Sequence, residues 1–264
     1  VGIRRAAVAV LALASLALAG CTATDTGGDA AGTTEDGALT GSVAVFAAAS
    51  LEDSFTELAR RFEEENPGVC VQLTFAGSSD LVTQLVEGAP ADVFASADER
   101  TMATLTDEGL IGAGATLDFA SNTLVIVTPP DDPGGVGGLT DLASDDVRTV
   151  VCAPQVPCGA ATTVLQSAAG VDIAPVSEES SVTDVLGKVT SGEADAGLVY
   201  ATDALAAGDA VRTIEVPEAG EAVNVYPIAP LADAANPAAA RAFVDLVTGE
   251  YGRDVLASAG FGSP

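Results

Sequence analysis

The chain has 264 residues, 38 acidic against 10 basic side chains, and a formal net charge of −28 at pH 7. Neutralising phosphates needs clustered Lys and Arg, so this balance excludes a nucleic-acid partner, and the acidity reads as solubility rather than as a partner code. The absence of histidine from the whole chain excludes a Ser-His-Asp arrangement and a His-ligated metal site.

At the start of the chain, Arg4 and Arg5 precede an apolar run from Ala6 to Ala19, too short to span a bilayer as a folded helix. Residues 1–20 are expected to be a signal peptide. Leu18-Ala19-Gly20-Cys21 resembles a lipobox, which implies lipidation of Cys21; an ordinary secretory signal is the weaker alternative. Residues 21–40, rich in Gly, Thr and Asp, read as a flexible tether. The remainder is long enough for one large or two small domains. Of the three further cysteines, Cys152 and Cys158 read as a disulfide pair, with Cys70 left as a buried thiol in VCVQL.

From Ser50, the apolar positions Leu51, Phe55, Leu58, Ala59 and Phe62 have helical spacing, and Asn66-Pro67-Gly68 stops the helix. Ser50 reads as its N-cap, with Asp53 in a capping-box-like position. VCVQLTFA is a strand, a helix restarts at Ser79-Asp80, and ADVFASAD is a short buried strand running into another helix. This βαβαβ order predicts a largely parallel sheet with helices on both faces. The rhythm then restarts. NTLVIVTP is a strand, GLTDLASD a short helix, RTVVCAP a strand, GAATTVLQSAAG and SVTDVLGKVTSGE helices, and AGLVY and VRTIEVP strands. EAVNVYPIAPL is a last strand, and PAAARAFVDLVTG and YGRDVLASAG are closing helices. Extended stretches near residues 118–128 and 222–231 predict two α/β lobes joined by two crossing segments, with facing strand ends across a cleft.

Lys188 is the only lysine and reads as an exposed charge, which leaves a serine–lysine dyad unsupported. Asp92 and Asp98 flank the DVFASAD strand, where hydrogen bonding within the fold or helix capping is the plainer role. Most other carboxylates read as solvated surface. What remains is a set of hydroxyls and bare main chain at element ends: Ser50 after VFAAA, Ser78 after TFAG, Cys158 and Val182 at helix starts, and Tyr200 ending GLVY. Singly, a serine is more often only a cap and a tyrosine only core. Together they describe an anion site made of helix N-terminal N–H groups and hydroxyls. Such charge-assisted bonds are worth on the order of 1.5–3 kcal/mol each. The acidic exterior acts at longer range and is screened by salt within about 10 Å.

VFAAASLEDSF, FAGSSDLVTQLVEGAPADVFASAD, QVPCGAAT and GLVYATDA resemble the corresponding segments of the molybdate-binding proteins of bacterial ABC importers, over Val43 to Phe261. The resemblance implies an α/β, two-lobed periplasmic-binding-protein fold of type II, each lobe a mostly parallel sheet flanked by helices, with the ligand cleft between the lobes. Lobe 1 would comprise residues 41–120 plus 225–264, and lobe 2 residues 121–224. The implied ligand contacts are the hydroxyls and N–H groups of Ser50 and Ser78, the N–H groups of Cys158 and Val182, and the hydroxyl of Tyr200. Val182 and Tyr200 lie 18 residues apart, as the family pattern asks. Cys158 departs from that pattern, where a small apolar residue stands, and a Cys152–Cys158 disulfide would alter the loop.

The implied function is capture of molybdate, and of tungstate, with delivery to an ABC transporter permease. The protein would be an extracytoplasmic monomer held on the outer face of the membrane by a lipid on Cys21, without enzymatic activity, cofactor or free metal cation. The alternatives are a binding protein for another tetrahedral oxyanion such as sulfate or thiosulfate, and a cell-surface lipoprotein with no transport role.

Overall fold

The computed structural model describes residues 32–33 and 37–264. The expected signal peptide and Cys21 lie outside the described residues. Strand β1 (Gly32–Thr33) pairs antiparallel with the first residues of β2 (Leu39–Ala48). Two short pieces of the expected tether therefore belong to the first sheet, which starts ahead of the expected boundary at residue 41.

The first βαβαβ unit runs β2, α1 (Glu52–Glu65), β3 (Val69–Ala76), α2 (Ser78–Val86), β4 (Val93–Ala95), and is followed by α3 (Glu99–Asp107). Both β3 and β4 lie parallel to β2. Helix α1 buries Phe55, Leu58, Ala59 and Phe62, while Arg60 and Arg61 pair with Glu57, Glu64 and Glu65 on the exposed face. That division is the amphipathic stripe written in the sequence. Cys70 is half-buried rather than buried, on β3, which among the described strands pairs with β2.

Strand β5 (Leu117–Asn122) is one edge of the first sheet, and one residue later β6 (Leu124–Thr128) begins the second. The second sheet adds β7 (Thr149–Cys152), α4 (Pro157–Ala169), β8 (Ser177–Glu179), α5 (Val182–Thr190), β9 (Ala196–Tyr200), α6 (Ala201–Ala207) and β10 (Arg212–Ile214). The chain returns to the first sheet through β11 (Asn224–Pro230) and ends in α7 (Pro237–Thr248) and α8 (Glu250–Ser258). The sheet orders are β1-β2-β4-β11-β5, with β3 also on β2, and β10-β6-β9-β7-β8.

The parallel pairing expected of βαβ units holds for β2–β3, β2–β4, β7–β8 and β7–β9. Strands β5, β11, β6 and β10 pair antiparallel, so both sheets are mixed. The cause is topological, since strands that carry the chain between lobes arrive without a crossover helix. GLTDLASD forms a 3₁₀ turn, Leu139–Ala143, closed by the Asp141 carboxylate, which accepts from the N–H groups of Gly137 and Gly138 at 2.8 and 3.1 Å. Lys188 is not a free surface charge: it pairs with Glu179 at 2.5 Å and donates to Ser177 Oγ.

Asp92 is 4% exposed and accepts from Ala44 N and Asn236 N at 2.7 and 2.8 Å, tying β2 to the start of α7. Asp98 caps α3 by accepting from Thr101 N at 2.7 Å. Both carboxylates serve the fold. Phe55, Phe62, Phe119 and Phe243 pack edge-on or tilted in the first lobe, the geometry ring quadrupoles prefer. No described helix is long and apolar enough to cross a membrane.

Candidate oxyanion site

The two lobes touch along one edge of the cleft. Ser79 Oγ and the Arg100 guanidinium both donate to the Gln155 carbonyl, at 3.2 and 2.9 Å. Gly77 lies so close to the second lobe that a Cβ there would stand 2.1 Å from the Ser180 carbonyl oxygen. Behind this contact is a cavity of about 20 Å³. Ser50, Ser78, Cys158, Val182 and Tyr200, the five residues expected to meet in the site, all line it.

Each owes its position to the end of an element. Strand β2 finishes in Ala47 and Ala48, both buried, and passes through a 3₁₀ turn, Ala49–Leu51, before α1 begins. Alanines at that corner leave the main chain uncovered. Ser50 is not the cap of α1: the N-cap is Leu51, which makes no side-chain cap bond, and Ser50 Oγ lies 3.0 Å from the Tyr226 hydroxyl in β11.

Ser78 opens α2 one residue earlier than the Ser79-Asp80 start expected from sequence. Ser78 Oγ accepts from Ala97 N at 3.0 Å in a buried bond, so its own proton points elsewhere.

Cys158 is the second residue of α4, after Pro157, where fixed φ and a missing N–H suit the first helical position. It is joined to Cys152 at the end of β7, with the two Cα atoms 5.6 Å apart. Gly159 follows because a Cβ there would strike the Ala153 carbonyl oxygen at 1.9 Å; the helix start presses directly on the strand end. Val182 opens α5, capped by Ser181, whose Oγ accepts from Asp184 N and donates to the Asp184 carboxylate at 2.7 Å.

Tyr200 ends β9 and is 1% exposed. Its N–H donates to the Asp203 carboxylate at 3.2 Å. Its hydroxyl has no hydrogen-bond partner among the described residues, and burial holds the phenol well above its ordinary pKa, so it stays protonated.

Three helices of nine residues or more thus begin at this cavity, α2 at Ser78, α4 at Cys158 and α5 at Val182. The first N–H groups of a helix have no intrahelical acceptor, and the macrodipole places partial positive charge there. No carboxylate is among the lining residues, so the acidic surface stops short of the cavity. Asp53 and Asp203 instead face a second cavity of about 350 Å³ behind Ser50. Burial pushes the Asp203 carboxyl up to about 7, against two backbone hydrogen bonds that favour the charged form, with the Asp53 charge adding to the rise.

Sequence reasoning missed Gly77, Ala97, Ser181 and Tyr226. The signal for Tyr226 was a polar-tipped aromatic inside the apolar strand NVYPIAP, since a buried phenol needs a partner. Among the described residues no cluster of His, Cys, Asp or Glu could hold a metal ion.

A family model for bacterial extracellular solute-binding proteins matches residues 43–262. The chain is 50% identical over 223 residues to the molybdate-binding protein ModA of Mycobacterium tuberculosis H37Rv, covering 84% of this chain and 85% of that one. The solved periplasmic molybdate-binding protein of Azotobacter vinelandii superposes with a TM-score of 0.73 at 24% identity, over 84% and 99% of the two chains. The sulfate-binding protein SubI of Mycobacterium tuberculosis does so with 0.71 at 18% identity, over 83% and 86%. These two likenesses are nearly equal, so the backbone alone does not distinguish the ligands.

Proposed function

The chain belongs to the bacterial extracellular solute-binding protein family, and we propose that within it this protein captures molybdate, and also tungstate, between its lobes and hands the anion to an ABC transporter permease. The observation that carries the reading is the uncharged cavity on which three helix N-termini and the Ser50, Ser78 and Tyr200 hydroxyls converge. The name of its 50% identical relative supports the choice of molybdate.

In this reading Ser50 and Ser78 hold the anion on the first lobe, and closure brings the N–H groups of Cys158 and Val182 and the Tyr200 hydroxyl over it. Excluding water strengthens every one of these bonds. The buried Tyr200 hydroxyl gains the acceptor it lacks among the described residues. A site of donors alone suits a fully deprotonated dianion, and an anion that must keep a proton sets that proton against a donor. The lobes would divide near residues 120 and 224, with β5–β6 and β10–β11 as the crossing segments. A lipid on Cys21 would hold the carrier on the outer face of the membrane, where its permease is.

Calorimetric titration with molybdate, tungstate, sulfate and phosphate tests the reading. One-to-one binding of the two large dianions, with no heat from phosphate or sulfate, is expected. Sulfate binding as tightly as molybdate would move the assignment to a general tetrahedral-oxyanion carrier, and no binding of any oxyanion would overturn it. Replacing Cys21 by Ser should release the protein from the membrane fraction; continued retention would remove the lipid anchor from the proposal.

A further inference from the structure

We propose that Tyr226 is a positioning residue for oxyanion recognition: its hydroxyl donates to Ser50 Oγ and so turns the Ser50 proton into the cavity. This rests on the oxyanion reading above. The Tyr226 hydroxyl and Ser50 Oγ are 3.0 Å apart, and either could donate on distance alone. The surroundings fix the direction.

Tyr226 is fully buried, and burial, the largest influence on it, raises the phenol far above its ordinary pKa, so it keeps its proton. A buried phenolic proton needs an acceptor. Asn122, 4% exposed at the end of β5, uses its Nδ2 toward Thr202 Oγ1 at 2.8 Å and its Oδ1 to accept from Thr123 N at 3.0 Å. Among the described residues the one hydrogen bond of the Tyr226 hydroxyl is the contact with Ser50 Oγ. That leaves Ser50 Oγ to take the Tyr226 proton.

A serine hydroxyl has one proton. With Tyr226 donating to one of its lone pairs, Ser50 does not spend its proton on Tyr226 and turns it toward the cavity it lines. Ser78 is set the same way by a group that can only donate, the Ala97 N–H at 3.0 Å. The protons of both serines are thereby left for the cavity, one by main chain and one by Tyr226. The ring cannot swing away, since Phe119, Tyr200 and Phe261 pack around it with centroids 5.4–6.3 Å distant. Tyr226 lies on β11, the strand by which the chain re-enters the first lobe, so the donor is set from the crossing segment.

The test is a double-mutant cycle of Tyr226→Phe and Ser50→Ala, read as molybdate and hydrogen phosphate affinities at pH 7.5. Tyr226→Phe keeps the ring and should weaken molybdate about tenfold, the loss of one well-oriented bond to a charged group. The molybdate-to-phosphate preference should fall with it, because a freely rotating Ser50 can accept from a protonated oxyanion. In the Ser50→Ala background, Tyr226→Phe should change neither affinity. Additive losses, or an unchanged preference for molybdate over phosphate, would overturn the proposal. If Tyr226→Phe does not fold, fluorotyrosine at position 226, a stronger donor, should tighten molybdate binding, and weaker or equal binding would overturn it. A wild-type protein that binds no molybdate would instead sink the oxyanion reading itself, and this inference with it.

Discussion

The first lobe faces the cavity with side-chain hydroxyls, Ser50 and Ser78, each engaged from behind by Tyr226 or Ala97. The second faces it with main chain, the starts of α4 and α5 at Cys158 and Val182, and with Tyr200; Ser180 and Ser181 also line it, the Ser181 hydroxyl donating to Asp184. Both walls offer donors to an anion, but they differ in what the sequence must preserve. A hydroxyl wall depends on residue identity. A main-chain wall depends on where helices begin, so it tolerates a cysteine at 158 and transfers its specificity to Gly159, Pro157 and the cap at Ser181. The sharpest way to expose this difference is to remove one side chain from each wall.

Ser78→Ala carries the largest expected effect. It deletes the proposed donor to the anion and leaves the buried Ala97 N–H without its acceptor. A lost bond to a charged group is worth on the order of 1.5–3 kcal/mol, roughly ten- to a hundredfold in affinity. Titration of the variant with molybdate checks it; a change below threefold would mean that the first wall does not hold the ligand.

Tyr200→Phe should come next, and it separates stability from binding. The Tyr200 hydroxyl is buried without a partner among the described residues, an arrangement that costs about 1–3 kcal/mol. Removing it should raise the melting temperature of the ligand-free protein while weakening molybdate about tenfold. A variant that loses affinity and stability together would show that the hydroxyl serves the fold rather than the ligand.

A smaller effect is expected from pH. The Asp203 carboxyl is raised from an ordinary 3.8 to about 7, chiefly by burial. Between these values the folded state holds a proton that the unfolded state has released. Stability therefore falls as pH rises from about 4 to about 7 and levels off above, by up to roughly 4 kcal/mol from this group. Asp203 accepts from Tyr200 N, so its ionisation also places negative charge beside the second wall. Molybdate affinity should decline severalfold from pH 6 to pH 8.5. Asp203→Asn should flatten both profiles, and parallel profiles for the two proteins would remove Asp203 as the cause.

How much of this was legible in the sequence follows from how far apart the interacting residues are. Ser50 and Ser78 stood out because small residues at a strand-to-helix corner are a local pattern. The role of Ser50 as a cap did not survive, because capping preference is also local while its partner Tyr226 lies 176 residues away. Gly77 reads as an ordinary helix boundary until Ser180, from the other lobe, is seen against it. The two βαβ rhythms were legible as hydrophobic runs, whereas β8, three polar residues paired parallel to β7, has no periodicity to read. Lys188 looked exposed on its helix because its partner Glu179 sits on that same short strand.

The smallest effect on binding should come from Val182→Ala, and for that reason it completes the contrast with Ser78→Ala. Val182 is 3% exposed and its side chain packs in the core, so the truncation should lower stability by about 1–3 kcal/mol through lost burial and the space left behind. The proposed donor at this position is the backbone N–H at the start of α5, and the Ser181 cap that fixes that start is untouched. Affinity for molybdate should therefore change by less than about threefold even though the protein melts earlier. Paired with Ser78→Ala, the two substitutions move stability and affinity in opposite proportions. A Val182→Ala variant that lost affinity as Ser78→Ala does would mean that the second wall also recognises its ligand through side chains, and the distinction between the walls would fall.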